Sequence, residues 1–167
     1  MSAEAVIRAT RVVPAGGWDT GAAKDTLTLD FDDRHRRRRL YTGERGLAVL
    51  LDLPEATVLR DGDGLALEGG GYVLVRAAPE PLVEVTAESP AQLARLAWHL
   101  GNRHLPTRIE AGRLLIRDDH VIVEMLRGLG AAVRHVSEPF DPEGGAYGEH
   151  NRQPSHPHDH GHDHHHH

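Results

Sequence analysis

Histidine is the residue type in this sequence whose number and spacing point most directly to chemistry. Nine of the 14 histidines lie in residues 150–167, interleaved with aspartate, proline and glycine. Imidazole suits nickel, copper and zinc as a ligand, and a flexible segment can place several imidazoles around one ion. The end of the chain is therefore predicted to bind metal.

The last four histidines leave two origins open for this segment. They end the chain as an expression tag would, but the stretch before them lacks the uniform run of a common tag. We favour a native tail, although either origin would bind metal. The candidate ligands in the tail are His150, His156, His158, His160 and His162.

Two further candidate positions lie in the middle of the chain. His104 follows a predicted helix in a loop, where it is either an ordinary loop histidine or a metal ligand. His99, turned by about 140° from it on a helix, is interpreted as a packing or surface histidine. His120 begins a second predicted helix and is expected to be exposed, with Asp118 available as an oxygen ligand beside it.

The composition limits the classes of protein that this chain can be. Hydrophobic residues make up 39% of the 167 residues and aromatic residues only 4%, so any core is built from Leu, Val, Ile and Ala. A formal net charge of −6 shows no basic excess for nucleic acid. The lack of cysteine excludes disulfides and thiolate metal sites. No nucleophile–base pair or phosphate-binding glycine loop indicates an enzyme.

The sequence also bears on location. No apolar run approaches the roughly 20 residues of a membrane span, so no membrane partner is expected. The N-terminus lacks the basic and then apolar pattern of a secretory signal. The expected location is therefore the cytoplasm.

Residues 1–78 are predicted to form an all-β domain. Residues 6–13, 26–32 and 72–75 have the composition or alternation of strands, and glycine-rich turns separate such runs. This spacing predicts a small sandwich or barrel-like domain. The basic residues 34–39 are interpreted as a solvated edge strand of mixed charge, since charges protect sheet edges. Docking of an acidic partner protein is the functional alternative.

Residues 79–148 are predicted to form a second domain, joined to the first by an extended link at residues 78–81. Its elements follow the β-α-β-β-α-β order of the ferredoxin-like arrangement, in which two helices cover one face of a four-stranded sheet and leave the other free. Residues 149–167 are predicted to form a disordered tail in the absence of metal, because nothing after Tyr147 can bury an apolar face. The fold class is therefore α+β.

The helix boundaries of the second domain are predicted from capping residues. Ser89 caps the first helix, and Gly101 ends it. Asp118 or Asp119 caps the second helix, and Gly130 ends it. The expected apolar face of the second helix consists of Val121, Ile122, Met125, Leu126 and Leu129.

Three segments carry a resemblance to a known family. They are residues 99–106 (HLGNRHLP), residues 119–122 (DHVI) with the Met125-Leu126 pair, and residues 140–148 (FDPEGGAYG) followed by the histidine tail. In order and spacing, over residues 40–167, they resemble the UreE family of urease accessory proteins, the nickel metallochaperones.

The resemblance implies a fold and a function. The N-terminal domain would be similar to a peptide-binding domain of Hsp40 chaperones, and the C-terminal domain would be ferredoxin-like and form a homodimer. The position matching His104 would bind Ni²⁺ at the dimer axis, one histidine from each chain, with tail histidines completing the site and Zn²⁺ or Cu²⁺ able to substitute. The family delivers nickel to apo-urease together with the accessory GTPase of the urease maturation complex.

One departure from the family pattern concerns a peripheral site. Some members carry His-x-His at the positions matching Asp118 and His120. Aspartate at the first of these positions predicts a weaker, more oxygen-rich peripheral site here.

Two other functions stay open. A general store would buffer nickel or zinc on the tail, and His104 would be incidental. A protein-binding module would dock a partner through the β domain and residues 34–39, with the tail as a tag. Delivery predicts one tight ion per dimer that requires His104, whereas storage predicts several similar ions that require only the tail.

Metal binding is predicted to weaken as the pH falls through about 6.5, because a protonated imidazole cannot be a ligand. The available ligands are histidines and carboxylates, without cysteine. Titration of the full chain with Ni²⁺ at about pH 8 and about pH 5 measures the change. Equal affinity at both pH values would contradict this prediction.

Overall fold

The computed structural model describes residues 5–144 and has the predicted α+β composition. The first part of the chain contains β1 (Ile7–Val13), a 3-10 turn (Thr20–Ala22), β2 (Asp25–Leu29), α1 (Phe31–Arg34), β3 (His35–Thr42), β4 (Ala48–Val58), β5 (Gly64–Leu67) and β6 (Tyr72–Ala77). The second part contains β7 (Pro79–Thr86), α2 (Pro90–Asn102), β8 (Arg108–Glu110), β9 (Arg113–Arg117), α3 (His120–Gly128) and β10 (Ala132–Pro139). The tail ligands predicted from His150 onward lie outside the described residues.

Strands β1 to β6 form one sheet in the order β2-β6-β5-β1-β4-β3. The sheet curls so that its two edges approach each other. The buried Asp25 of the edge strand β2 accepts hydrogen bonds from the main-chain N–H groups of Arg45 (2.9 Å) and Leu47 (3.0 Å), which lie in the turn between β3 and β4. Burial raises the pKa of the Asp25 carboxyl, but these donors outweigh it and hold the pKa below its usual range. Valine and leucine side chains fill the interior of the curl.

The prediction of one strand over residues 26–32 is wrong at its end. The strand stops at Leu29, and Asp30 caps the short helix α1 by accepting a hydrogen bond from the N–H of Asp33. Within α1, Phe31 and Arg34 are buried. The helix turns the chain between β2 and β3, which lie on opposite edges of the sheet.

The prediction that Arg34 lies in a solvated edge strand is wrong, because Arg34 is the last residue of α1. Its guanidinium is fully buried and donates to the carbonyl oxygens of Leu29 (3.2 Å), Leu59 (3.0 Å) and Phe140. Burial lowers the pKa of this guanidinium, and attraction to Asp141 and other carboxylates opposes the shift.

The remaining arginines of the basic run lie on β3, which is an edge strand as predicted. Asp33 faces Arg39 at 3.2 Å and Arg36 at 3.7 Å. Arg37 approaches Asp52 of β4 at 4.0 Å. The edge therefore carries mixed charge.

The second sheet has the order β10-β7-β9-β8, and each neighbouring pair is antiparallel. Side chains alternate between its two faces. Val83, Val85, Leu114 and Ile116 pack with α2 and α3, whereas Leu82 and Leu115 face the other way. Residues 79–81 are the start of β7, paired with the end of β10, so the predicted link is part of the sheet.

The face predicted to be free for partners is covered in part. Leu82 and Leu115 pack there with Phe31 of α1 and with Phe140, which follows β10. The guanidinium of Arg117 lies 5.5 Å from the ring centre of Phe31 and 5.8 Å from that of Phe140. This apolar cluster joins the two sheets.

Helix α3 buries a different set of residues from the one predicted. Ile122 and Leu126 are buried as expected, but Val121 and Leu129 are exposed, and Val123 takes the place in the core. Among the residues that the structure describes, no helix is long and apolar enough to span a membrane.

Replacement of Arg34 by alanine is predicted to lower the free energy of unfolding by about 3 kcal/mol, because three carbonyl groups lose their donor. Arg34→Lys should recover only part of this loss, since an ammonium lacks the planar fork that reaches all three. Urea denaturation followed by circular dichroism measures both.

The matched control is Arg38→Ala on the exposed face of β3, which should change stability by less than about 0.5 kcal/mol. Equal stability of the Arg34 and Arg38 variants would contradict the assignment of Arg34 as the link between the sheets.

Candidate metal centre

Helix α2 begins as the sequence predicts. Ser89 caps it, with its side-chain oxygen accepting a hydrogen bond from the N–H of Gln92 at 3.1 Å, and Pro90 is its first residue. Leu96 and Leu100 are buried against the second sheet. This packing holds the C-terminal end of α2, and therefore the loop with His104, in a defined position on the sheet.

The end of α2 differs from the prediction. The helix continues through Gly101 to Asn102. The N–H of His104 then bonds the carbonyl of Gly101 (3.0 Å), and the N–H of Leu105 bonds the carbonyl of Leu100 (3.2 Å). These two bonds form a Schellman motif, and the apolar contact typical of that motif lies between Leu100 and Leu105.

His104 occupies the left-handed position of this motif, with φ of 53°. It is the only residue other than glycine with a positive φ in the described part of the chain. Glycine is the usual residue at such a position, because a side chain there costs about 1–2 kcal/mol.

Helix α3 ends in the same motif, but with glycine at the left-handed position. There the N–H of Gly130 bonds Arg127 and the N–H of Ala131 bonds Leu126, both at 3.0 Å, and Gly130 has φ of 86°. The two helices therefore end in the same motif, with glycine in one and histidine in the other. A strained histidine where glycine suffices points to a role for the imidazole.

A cavity of about 200 Å³ lies beside His104. Glu143 lines the same cavity, and both residues are exposed. The other residues around it are Ala97, Gly101, Leu105, Thr107 and Ile109. The cavity therefore brings one imidazole and one carboxylate to a mostly apolar surface.

The segment after β10 is tied down on its way to this cavity. Arg34 holds the carbonyl of Phe140, and Arg60 bonds both the carboxylate of Asp141 and the carbonyl of Pro142, the latter at 2.8 Å. The N–H of Glu143 then donates to the carbonyl of Thr107 at 2.8 Å. The last described residues thus lie next to the loop that contains His104.

Small and apolar residues form one exposed face of α2. Ala94, Trp98 and Gly101 follow one another at steps of four and three residues, so they share a face of the helix. Trp98 is 64% exposed, and Ile109 on β8 is 51% exposed. His99 is half-buried and lies edge-on to Trp98, with ring centres 5.1 Å apart.

The pairing of Asp118 with His120 as metal ligands stays a prediction. His120 is an exposed residue in the first turn of α3, and Asp119 caps that helix. Asp118 instead faces His135 of β10, with 3.7 Å between Oδ2 and Nδ1. Sequence reasoning missed His135, because only strand pairing brings β10 to this loop.

Within residues 5–144, no group of three or more histidine, aspartate or glutamate side chains is arranged to hold a metal ion. His104 together with Glu143 supplies two donors at most. An ion at His104 would therefore need further ligands, from a second copy of the chain or from residues beyond 144.

The chain matches known proteins along its whole length. The family model for the N-terminal domain of the UreE urease accessory protein matches residues 3–78, and that for its C-terminal domain matches residues 80–166. A urease accessory protein UreE of Bradyrhizobium sp. (strain BTAi1 / ATCC BAA-1182) is 61% identical over 151 residues, which are 90% of this chain and 71% of that protein. The urease accessory protein UreE of Rhodobacter capsulatus is 52% identical over 156 residues, 90% of this chain and 96% of that protein. The chain therefore belongs to the UreE family of urease accessory proteins, whose part in urease maturation is accessory and not enzymatic.

Proposed function

We propose that this protein is a metallochaperone that binds Ni²⁺ and delivers it to apo-urease in the cytoplasm. The observation that carries the proposal is the backbone of His104, which is held in a conformation that favours glycine. Imidazole is a good ligand for nickel, zinc and copper, so Zn²⁺ and Cu²⁺ are expected to compete. Membership of the urease accessory family makes nickel the cargo that fits best.

The ion is bound between two copies of the chain. A two-fold axis near His104 would bring the same imidazole from each copy to one point, because a two-fold interface pairs a surface patch with itself. The exposed residues Trp98, Ile109, Ala94 and Gly101 supply a mostly apolar surface for such an interface. Tail histidines complete the coordination.

We assign a separate role to each of the three parts of the chain. Residues 79–148 form a ferredoxin-like domain, supported by the element order of β7 to β10 with α2 and α3 and by the strand order β10-β7-β9-β8. Residues 1–78 form a domain that meets the accessory GTPase and apo-urease, and residues 149–167 gather the ion. Asp118 and His120 form a second, weaker peripheral site of two ligands.

His104→Ala is predicted to abolish the one tight nickel ion per dimer, because it removes an imidazole from each copy at once. Competition titration of the full chain with a chelator measures the first equivalent of Ni²⁺. If His104→Ala still bound that ion equally tightly, the proposal of a shared site would be contradicted. Storage of metal by the tail would then be the better explanation for the histidines of this chain.

The backbone of His104 allows the loss of binding to be separated from damage to the fold. His104→Gly should also lose the tight ion, yet it should be more stable than His104→Ala by about 1 kcal/mol, since glycine adopts the left-handed conformation freely. The matched control is Gly130→Ala at the end of α3, which should lose about 1 kcal/mol of stability and keep the tight ion. Thermal unfolding in chelator measures stability.

A further inference from the structure

We propose that Glu143 is a ligand of the ion at His104, and that Arg60 is the residue that positions it. This inference rests on the proposed function, because it concerns the same site. It adds an oxygen donor from each chain to the imidazole from each chain.

The first argument is the shared cavity. His104 and Glu143 line one space of about 200 Å³ whose remaining residues supply no other imidazole or carboxylate. Both side chains are exposed and thus free to turn toward an ion. A two-fold axis at this cavity would gather two imidazole nitrogens and two carboxylates, a nitrogen and oxygen set of the kind that Ni²⁺ and Cu²⁺ accept.

The second argument is how the main chain of Glu143 is held. Its N–H is bonded to the carbonyl of Thr107, three residues after His104. The two residues before Glu143 are also held, because the Arg60 guanidinium donates hydrogen bonds to the carboxylate of Asp141 and to the carbonyl of Pro142. A carboxylate on a segment fixed at both of these points reaches the ion with little loss of conformational freedom.

The third argument is charge. Two Ni²⁺-bound imidazoles leave the ion's double positive charge uncompensated in an apolar cavity, where unpaired charge is costly. Asp141 is already engaged by Arg60, whereas the carboxylate of Glu143 makes no ion pair or side-chain hydrogen bond with any residue of 5–144. The Glu143 carboxylates of the two chains can therefore together balance the charge of the ion.

The test measures the first equivalent of Ni²⁺ bound by the full chain. Glu143→Gln keeps the size of the side chain but removes the charge, and it should weaken this site at least about tenfold. Glu143→His supplies an imidazole in place of the carboxylate and should keep or tighten the site. The control is Glu124→Gln, an exposed α3 carboxylate paired with Arg127, which should bind as the unaltered chain does.

Co²⁺ in place of Ni²⁺ gives a second measurement. The visible spectrum of the bound Co²⁺ should change in both Glu143 variants and not in Glu124→Gln. Unaltered affinity and an unaltered spectrum in Glu143→Gln would overturn the assignment of Glu143, while loss of the site in His104→Ala would still support the proposed function.

The positioning role of Arg60 is tested with a double variant. Arg60→Gln should weaken the first nickel site in the unaltered chain but add nothing to the loss in Glu143→Gln, because it acts through that residue. Arg76→Gln serves as the control, since Arg76 pairs at 3.6 Å with Asp61, the residue after Arg60, and is half exposed. A full additive loss from Arg60→Gln in the Glu143→Gln background would overturn the positioning role.

Discussion

The buried guanidinium of Arg34 is the interaction on which the arrangement of the two sheets depends. It satisfies two carbonyl groups in the first part of the chain, on Leu29 and Leu59, and one on Phe140, 106 residues away. A fully buried cation is tolerated only where hydrogen bonds replace its hydration. Its three partners must therefore stay in place together, and this requirement ties the end of β10 to the first sheet.

The tie determines where the end of the chain goes. β10 and β8 lie on opposite edges of the second sheet. After Phe140 the chain nevertheless reaches Thr107, directly before β8, because Phe140 packs on the face that the helices leave uncovered. Two residues from the first part of the chain contact this segment: Phe31 packs with Phe140, and Arg60 bonds the carbonyl of Pro142. The first part of the chain thus shapes the surroundings of His104 without contributing a ligand.

Local signals predicted the beginning of α2 better than its end. Ser89 caps α2 through a bond to a residue three positions away, so the sequence alone is enough to place it. The end of α2 depends on the apolar contact of Leu105 with the core around Leu100, which overrides the glycine at position 101. Arg34 was hidden in a basic run for a similar reason. Nothing in residues 34–39 distinguishes the one arginine whose partners are remote carbonyl groups.

The same reasoning explains why the proposed metal site is centred on His104, although the described residues supply few ligands. His99 and His104 are both histidines near the end of α2, and composition treats them alike. Their positions in the sequence already favoured His104, and the backbone adds a second distinction: His99 lies in the helix against Trp98, whereas His104 adopts the left-handed conformation that Gly130 adopts after α3. Removal of the imidazole in favour of glycine would stabilise that turn, so the fold alone gives no reason for histidine. The proposed role of the imidazole as a ligand supplies a reason, and the segment held by Arg34 and Arg60 brings Glu143 to the same cavity.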